Sequence, residues 1–252
     1  GIDLTNVHVL SNAAFLEDIE ALAPVQVISS RLRVGFLSNI TAEKGIFEFF
    51  TVLRESEAYG VALQGVIAGP VDPAVKGAFE ATLSASTKAQ HVGAVYGVGK
   101  KAFFESIDVL FFPSHLPEAE PFTILEALVH GVPVIAFARG CIGSMVPAAA
   151  GAVFPYSETF VKQTIDALRP LAESPAQLAK ARRAAVLELL AAINERLWLG
   201  HFDLVTNDLS PAFRQGVLLR GAGGASVEQL EDLVDIAVTE CERFYPAFQL
   251  VV

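Results

Sequence analysis

Hydrophobic positions in this chain fall into short runs separated by polar segments of helical period. Leu32 to Leu37, Val61 to Ala68, Gln90 to Val95, Val109 to Phe112, Val132 to Phe137 and Ala152 to Phe154 read as strands. Most of these runs are apolar throughout rather than alternating, the pattern of strands covered on both faces. Between them lie segments with apolar residues three and four apart. One opens at Glu43-Lys44-Gly45 and runs to about Glu57. A second runs from Asp72 to about Ser84, with Asp72 as N-cap and Pro73 in the first turn. Lys100 to Ser106 and about Pro121 to His130 complete the set, and Gly140 to Ala149 reads as a loop with a short helix.

After Pro155 the spacing turns helical, over Glu158 to about Ala172, Pro175 to Trp198 and Val227 to Phe244. Residues 207–226 hold Pro211, Gly216, Gly221, Gly223 and Gly224 and read as loop, with the glycines as a flexible linker. Alternating strands and helices predict repeated βαβ units. The expected fold is α/β: a Rossmann-like, doubly wound parallel sheet of about six strands with helices on both faces, plus a helical C-terminal extension. Residues 1–30 read as a lead-in segment or linker, 31–198 as the α/β domain and 199–252 as loop and C-terminal helix.

Bulk properties narrow the classes. Of the 252 residues, 52% are hydrophobic and 18% charged, enough for a sizeable core. The mean hydropathy of +0.47 is high. No apolar stretch approaches the roughly 18 residues of a membrane-spanning helix, so buried parallel strands account for it. The net charge of −10 argues against a general nucleic-acid binder. Two distant cysteines, Cys141 and Cys241, suggest neither a disulfide framework nor a metal site, and Cys141 is expected to be a buried thiol. Gly1-Ile2-Asp3 opens without the basic segment and apolar core of a secretory leader. The expected location is therefore cytoplasmic, with peripheral association with the inner face of a membrane left open.

The candidate chemistry sits after the fourth strand, in Glu118-Ala119-Glu120-Pro121-Phe122-Thr123-Ile124-Leu125-Glu126. A loop here opens onto a helix N-terminus, whose unpaired amides favour an anion. Glu118 lies on the loop and Glu126 about two turns further on, along the helix. Amides for an anion and carboxylates for hydroxyl groups suit a phosphorylated sugar. In parallel sheets ligands bind at the carboxyl ends of strands. The loops at Ser38 to Lys44, Tyr96, and Ser114 to Phe122 all follow strands and are expected at one edge. Lys44 at a helix start opposes the dipole unless an anion lies nearby. Glu120 suits a first-turn acid, and His115 reads as polar surface more readily than as a catalyst. Tyr96 is equally suited to stacking on a base or capping the sheet. Phe47, Phe49 and Phe50 are expected to pack the first helix.

The pattern Glu118-x7-Glu126-Ala127-Leu128, then Gly131-x-Pro133-Val134-Ile135-Ala136 and Arg139-Gly140, resembles retaining glycosyltransferases of the GT-B fold, family 4 (glycosyl transferases group 1), in their C-terminal donor-binding domain. Gly35 to Gly45 and Asp108 to Ser114 extend the resemblance, which covers roughly residues 31–155. It implies transfer of a sugar from a UDP- or GDP-sugar to an acceptor hydroxyl with the anomeric configuration kept. It implies no cofactor and no metal. Glu118 would face the donor sugar and Lys44 the diphosphate, as the catalytic pair. Glu126 would take the ribose hydroxyls, Phe122 and Thr123 amides the diphosphate, and Val95 and Tyr96 the base. Ser38, Asn39 and Arg139 complete the donor set.

Two departures qualify the resemblance. The family places an Arg where Asn39 stands, so either another cation (Arg139 or Lys100) substitutes or affinity falls. The family also carries an N-terminal acceptor-binding domain, so the expectation is a donor half cut from a longer protein, able to bind donor but poor at turnover. Two alternatives remain: a non-catalytic sugar-nucleotide-binding or interaction module, and a GT-B epimerase or hydrolase.

Overall fold

The computed structural model describes residues 31–194, 197, 199–205, 211–216 and 224–248. The lead-in reading of residues 1–30, the helix end at Trp198 and the linker glycines Gly221 and Gly223 lie outside the described residues.

Six strands form one sheet: β1 (Leu32–Leu37), β2 (Leu63–Ala68), β3 (Ala89–His91), β4 (Val109–Phe112), β5 (Val134–Phe137) and β6 (Gly151–Phe154). The order is β3-β2-β1-β4-β5-β6 and every pairing is parallel. The chain winds outward from β1 to β3, then returns to lay β4 beside β1. In open α/β sheets such a reversal places the ligand crevice at the carboxyl ends of the two central strands, here between the loops following β1 and β4. The apolar runs predict this sheet correctly. β4 and β5 are buried at all four positions because both faces are covered.

Helices α1 (Ile46–Glu55), α2 (Lys76–Ala85) and α6 (Phe160–Glu173) cover one face, with Phe36, Phe49, Phe79, Phe111 and Ile165 in the core between. Helices α3 (Val98–Glu105), α4 (Phe122–Val129) and α5 (Ile142–Met145) cover the other, over Phe104, Leu110, Ile124 and Val134. Helix α7 (Pro175–Asn194) spans both: Leu178 joins the first core and Ala185 the second. Between them, Arg182 donates to the buried Asp108 at 3.0 Å. Arg33 donates to both oxygens of the same carboxylate, at 3.1 and 2.9 Å. This triad fastens α7 to the amino edge of the sheet, opposite the crevice. Phe49 and Phe50 are buried and Phe47 packs against them, as expected.

Three local readings change. β3 stops at His91 rather than Val95, because Gly93 (φ 84°) turns the chain away; Val92 still donates to Ile67 at 2.9 Å. Asp72 is not the cap of α2. Its carboxylate accepts from Ala74 N–H at 2.8 Å in a turn, and the helix begins at Lys76 with Val75 as N-cap. The stretch read as loop contains a strand: β7 (His201–Leu204) pairs antiparallel with β8 (Pro211–Arg214). Helix α8 (Val227–Phe248) packs on this hairpin through Phe244, whose ring lies 6.0 Å from Phe202. The Asn194 amide holds Phe202 at both main-chain groups, at 2.8 and 3.0 Å. Among the described residues no helix is long and apolar enough to cross a membrane.

Candidate functional site

The loops after β1 and β4 meet in the crevice, and two glycines make the approach feasible. Gly45 adopts a left-handed conformation (φ 81°), and a Cβ there would lie 2.1 Å from the Pro113 carbonyl oxygen. His115 N–H donates to the Glu43 carbonyl at 2.8 Å, tying the loops together. From the other side comes the loop after β5. Gly140 (φ 58°) presses on the Glu118 backbone, where a Cβ would stand 2.0 Å from the Glu118 carbonyl oxygen. Cys141 N–H donates to that oxygen at 2.8 Å. Three separate loops therefore converge on Glu118.

The Glu118 side chain is held at the centre of this convergence. Its Oε1 accepts from Lys44 Nζ at 2.6 Å and from the Ser114 hydroxyl at 2.8 Å. Lys44 Nζ also sits 6.0 Å above the Phe112 ring. The lysine is positioned by its own loop, where its N–H donates to Thr41 Oγ1 at 3.2 Å. Both side chains are largely buried, with 23% and 14% exposure. In such surroundings an ion pair is screened less than at the surface.

Glu126 lies one turn into α4 and is buried. Its Oε1 faces Lys100 Nζ, in the first turn of α3, at 2.6 Å. The start of α4 is capped by Pro121, which has neither an N–H nor a capping side chain. The amides of Phe122 and Thr123 fall in the first turn, where intrahelical acceptors are lacking. Phe122 is exposed and Thr123 half-buried. One turn beyond Glu126, His130 Nδ1–H donates to the Glu126 carbonyl at 2.7 Å, with its ring 4.7 Å from Phe104. Burial lowers its pKa to about 4.

The remaining candidates sit around this centre. Ser38 is half-buried and Asn39 exposed, both on the β1 loop. Val95 packs against the core under α3. Tyr96 is 72% exposed, so it does not cap the sheet. Arg139 is half-buried, and its Nε is buried without a hydrogen-bond acceptor. Cys141 is exposed rather than buried: its N–H is turned onto the Glu118 carbonyl, and the neighbouring Ile142 takes the core position. His115 Nε2 is paired with Glu48, on α1, at 3.0 Å, and the ring packs edge-on against Tyr156 at 4.6 Å.

Sequence reasoning missed Ser114, although its spacing four residues before Glu118 on a turn was the available signal. It placed Lys100 near the site but did not foresee that Glu126 would hold it. A concavity of about 250 Å³ lies at the opposite edge, between Arg31, Val61, Asp108 and Leu178, away from these groups.

A doubly wound parallel sheet with acids and cations gathered at its reversal point defines a Rossmann-like α/β domain. The family model of glycosyl transferases group 1 matches residues 19–185, and the chain belongs to that family. A second model, YbjN, of proposed bacterial sensory transduction regulators, matches residues 163–250, the stretch holding α7, the hairpin and α8. No curated protein matches in sequence.

Solved structures share the fold. A point mutant of S. aureus TarM, in complex with fondaparinux, alpha-GlcNAc-glycerol and UDP, matches with TM-score 0.61 and 17% identity over 75% of this chain and 37% of that one. The pneumococcal O-GlcNAc transferase GtfA, in complex with UDP and GlcNAc, gives 0.53 and 18% over 68% and 34%. The C-terminal domain of the group 1 glycosyl transferase LpcC from Francisella tularensis gives 0.54 and 18% over 64% and 85%. The chain thus spans little more than a third of TarM and GtfA, but most of the LpcC domain.

Proposed function

We propose that this chain binds a nucleoside diphosphate sugar, UDP- or GDP-linked, as the C-terminal donor half of a retaining family 4 glycosyltransferase. Three findings support the reading. The chain matches most of a domain named as C-terminal, the TarM and GtfA structures carry UDP, and the charged groups gather at the sheet's reversal point. The observation that carries it is the Lys44–Glu118 contact at 2.6 Å, beside the start of α4. It sets a cation for phosphate and a carboxylate for hydroxyls within one crevice.

In this reading the diphosphate lies against the Phe122 and Thr123 amides and Lys44, with Ser38 and Asn39 donating neutral hydrogen bonds and Arg139 nearby. Glu118 accepts from the donor sugar hydroxyls and Glu126 from the ribose. Val95 and the exposed Tyr96 flank the base. The bond from the anomeric carbon to the phosphate oxygen breaks with its electron pair on the phosphate. The acceptor oxygen bonds from the same face and gives up its proton to the departing phosphate oxygen. Stabilising the departing negative charge is the chief catalytic contribution, and it needs neither a protein nucleophile nor a cofactor. The acceptor belongs to a separate N-terminal domain, so residues 31–198 act as the donor domain and 199–252 as an appendage. The work is done in the cytoplasm, with membrane association through the rest of the protein open.

Calorimetric titration of UDP and GDP tests the site. Glu118→Ala and Lys44→Ala are each expected to weaken the preferred nucleotide; unchanged affinity in both sinks the assignment. Asn39, uncharged and exposed, favours a second reading, a binding module without turnover. A labelled-donor assay on the protein joined to its acceptor domain separates the two.

A further inference from the structure

Among the described residues, the cations on the loops and helix starts around the crevice include Lys44, Lys100 and Arg139. Two are answered by the protein itself. Lys44 Nζ lies 2.6 Å from Glu118 and Lys100 Nζ 2.6 Å from Glu126. Arg139 differs, having no ion pair among the described residues. Its Nε is buried without an acceptor. A buried donor left unsatisfied costs folding free energy and is uncommon unless something else answers it.

The position of Arg139 narrows what that partner is. The next residue, Gly140, lies against the Glu118 backbone, and Cys141 N–H donates to the Glu118 carbonyl at 2.8 Å. Arg139 therefore leaves the chain one residue from the point where the three loops meet. A guanidinium presents a planar fork of donors that matches phosphate oxygens two at a time, whereas an ammonium acts as a point charge. A nucleoside diphosphate brings more negative charge than Lys44, already shared with Glu118, can answer. Lys100 is committed to Glu126, and Asn39 carries no charge.

We propose that Arg139 is the diphosphate's principal side-chain anchor and sets the preference for a diphosphate over a monophosphate. This rests on the donor-site reading above and names the residue that carries its charge recognition.

The test is calorimetry on the 252-residue chain with UDP, UMP, GDP and GMP. Arg139→Gln shortens the side chain slightly and removes the charge; Arg139→Lys restores charge without the fork. Arg139→Gln should weaken diphosphate binding by about tenfold or more, the size expected for a lost charge-assisted bond. It should weaken monophosphate binding much less, Arg139→Lys should recover part of the loss, and Asn39→Arg in the Arg139→Gln background should recover affinity. Arg54→Gln, at the exposed far end of α1, controls for net charge and should leave binding unchanged. If Arg139→Gln binds the diphosphate within about twofold of the parent, well short of one lost charge-assisted bond, while Lys44→Ala weakens it, Arg139 is not the anchor although the site stands. If the parent chain binds none of the four nucleotides, the donor-site reading falls and this proposal with it. Far-ultraviolet dichroism and melting confirm that each variant is folded before titration.

Discussion

Lys44 and Glu118 stand 74 positions apart in the chain, yet the ammonium meets the carboxylate at 2.6 Å. The contact joins the two loops that flank the sheet's reversal point, so it reports on loop docking as well as on charge. A double-mutant cycle with Lys44→Met and Glu118→Gln should give a coupling of about 1 kcal/mol by urea unfolding, the upper end for a pair that water partly reaches. A coupling near zero would mean that the loops dock without it.

Gly45 and Gly140 let backbones approach to distances no Cβ tolerates. A Cβ at Gly45 would lie 2.1 Å from the Pro113 oxygen, and one at Gly140 2.0 Å from the Glu118 oxygen. Alanine at either position is expected to destabilise by at least about 1–3 kcal/mol, the strain of a left-handed residue before any clash. Gly77, inside α2 with nothing near its Cβ position, is the contrast. Gly77→Ala should stabilise by about 0.5–1 kcal/mol. Urea midpoints moving in opposite directions would bear this out; Gly45→Ala matching the parent would refute the close approach.

Asp108 answers two arginines at the amino edge of the sheet. It is almost fully buried, and burial lowers the pKa of Arg182 despite the carboxylate beside it. Asp108→Asn should cost about 3–5 kcal/mol, because it strands buried charge. Since this edge lies opposite the crevice, nucleotide affinity in the folded fraction should not change. A thermal shift on Asp108→Asn smaller than that on Arg54→Gln would contradict the anchoring role.

His130 makes stability depend on acidity. Its folded pKa of about 4 lies below the ordinary value of 6.5, so the neutral ring is favoured in the fold. Its contribution is complete above pH 6.5 and drains away as pH falls towards 4, by about 1.4 kcal/mol per unit once below 6.5 and roughly 3 kcal/mol in all. Replacement by Asn keeps a donor for the Glu126 carbonyl and removes the titration. Urea unfolding at about pH 7.5, 6, 5 and 4, a range spanning both pKa values, should show a shallower acid decline in His130→Asn. Parallel curves would place the acid sensitivity elsewhere.

Much of this architecture was legible before any coordinates. Val109 to Phe112 and Val132 to Phe137 are apolar throughout, and only strands covered on both faces keep such runs in a folded chain. The Glu118-x7-Glu126 spacing put one acid on a loop and the other on the helix that follows, where both now stand. Less was legible after Trp198. β7 and β8 have four residues each, and their pairing depends on contacts among Phe202, Phe213 and Phe244 that no local period announces.

Periodicity and glycine placement sufficed for the α/β alternation and for the edge at which the loops gather, because burial on one or both faces leaves its mark residue by residue. Which cation answers which acid waited for the fold. Lys100 and Glu126 are 26 positions apart, and Lys44 and Glu118 74. Among the described residues Arg139 is left without a carboxylate because the sheet brings the two acids to the lysines instead. Partnership across such separations is a property of packing and of the order in which strands lie, and nothing in the neighbouring residues encodes it.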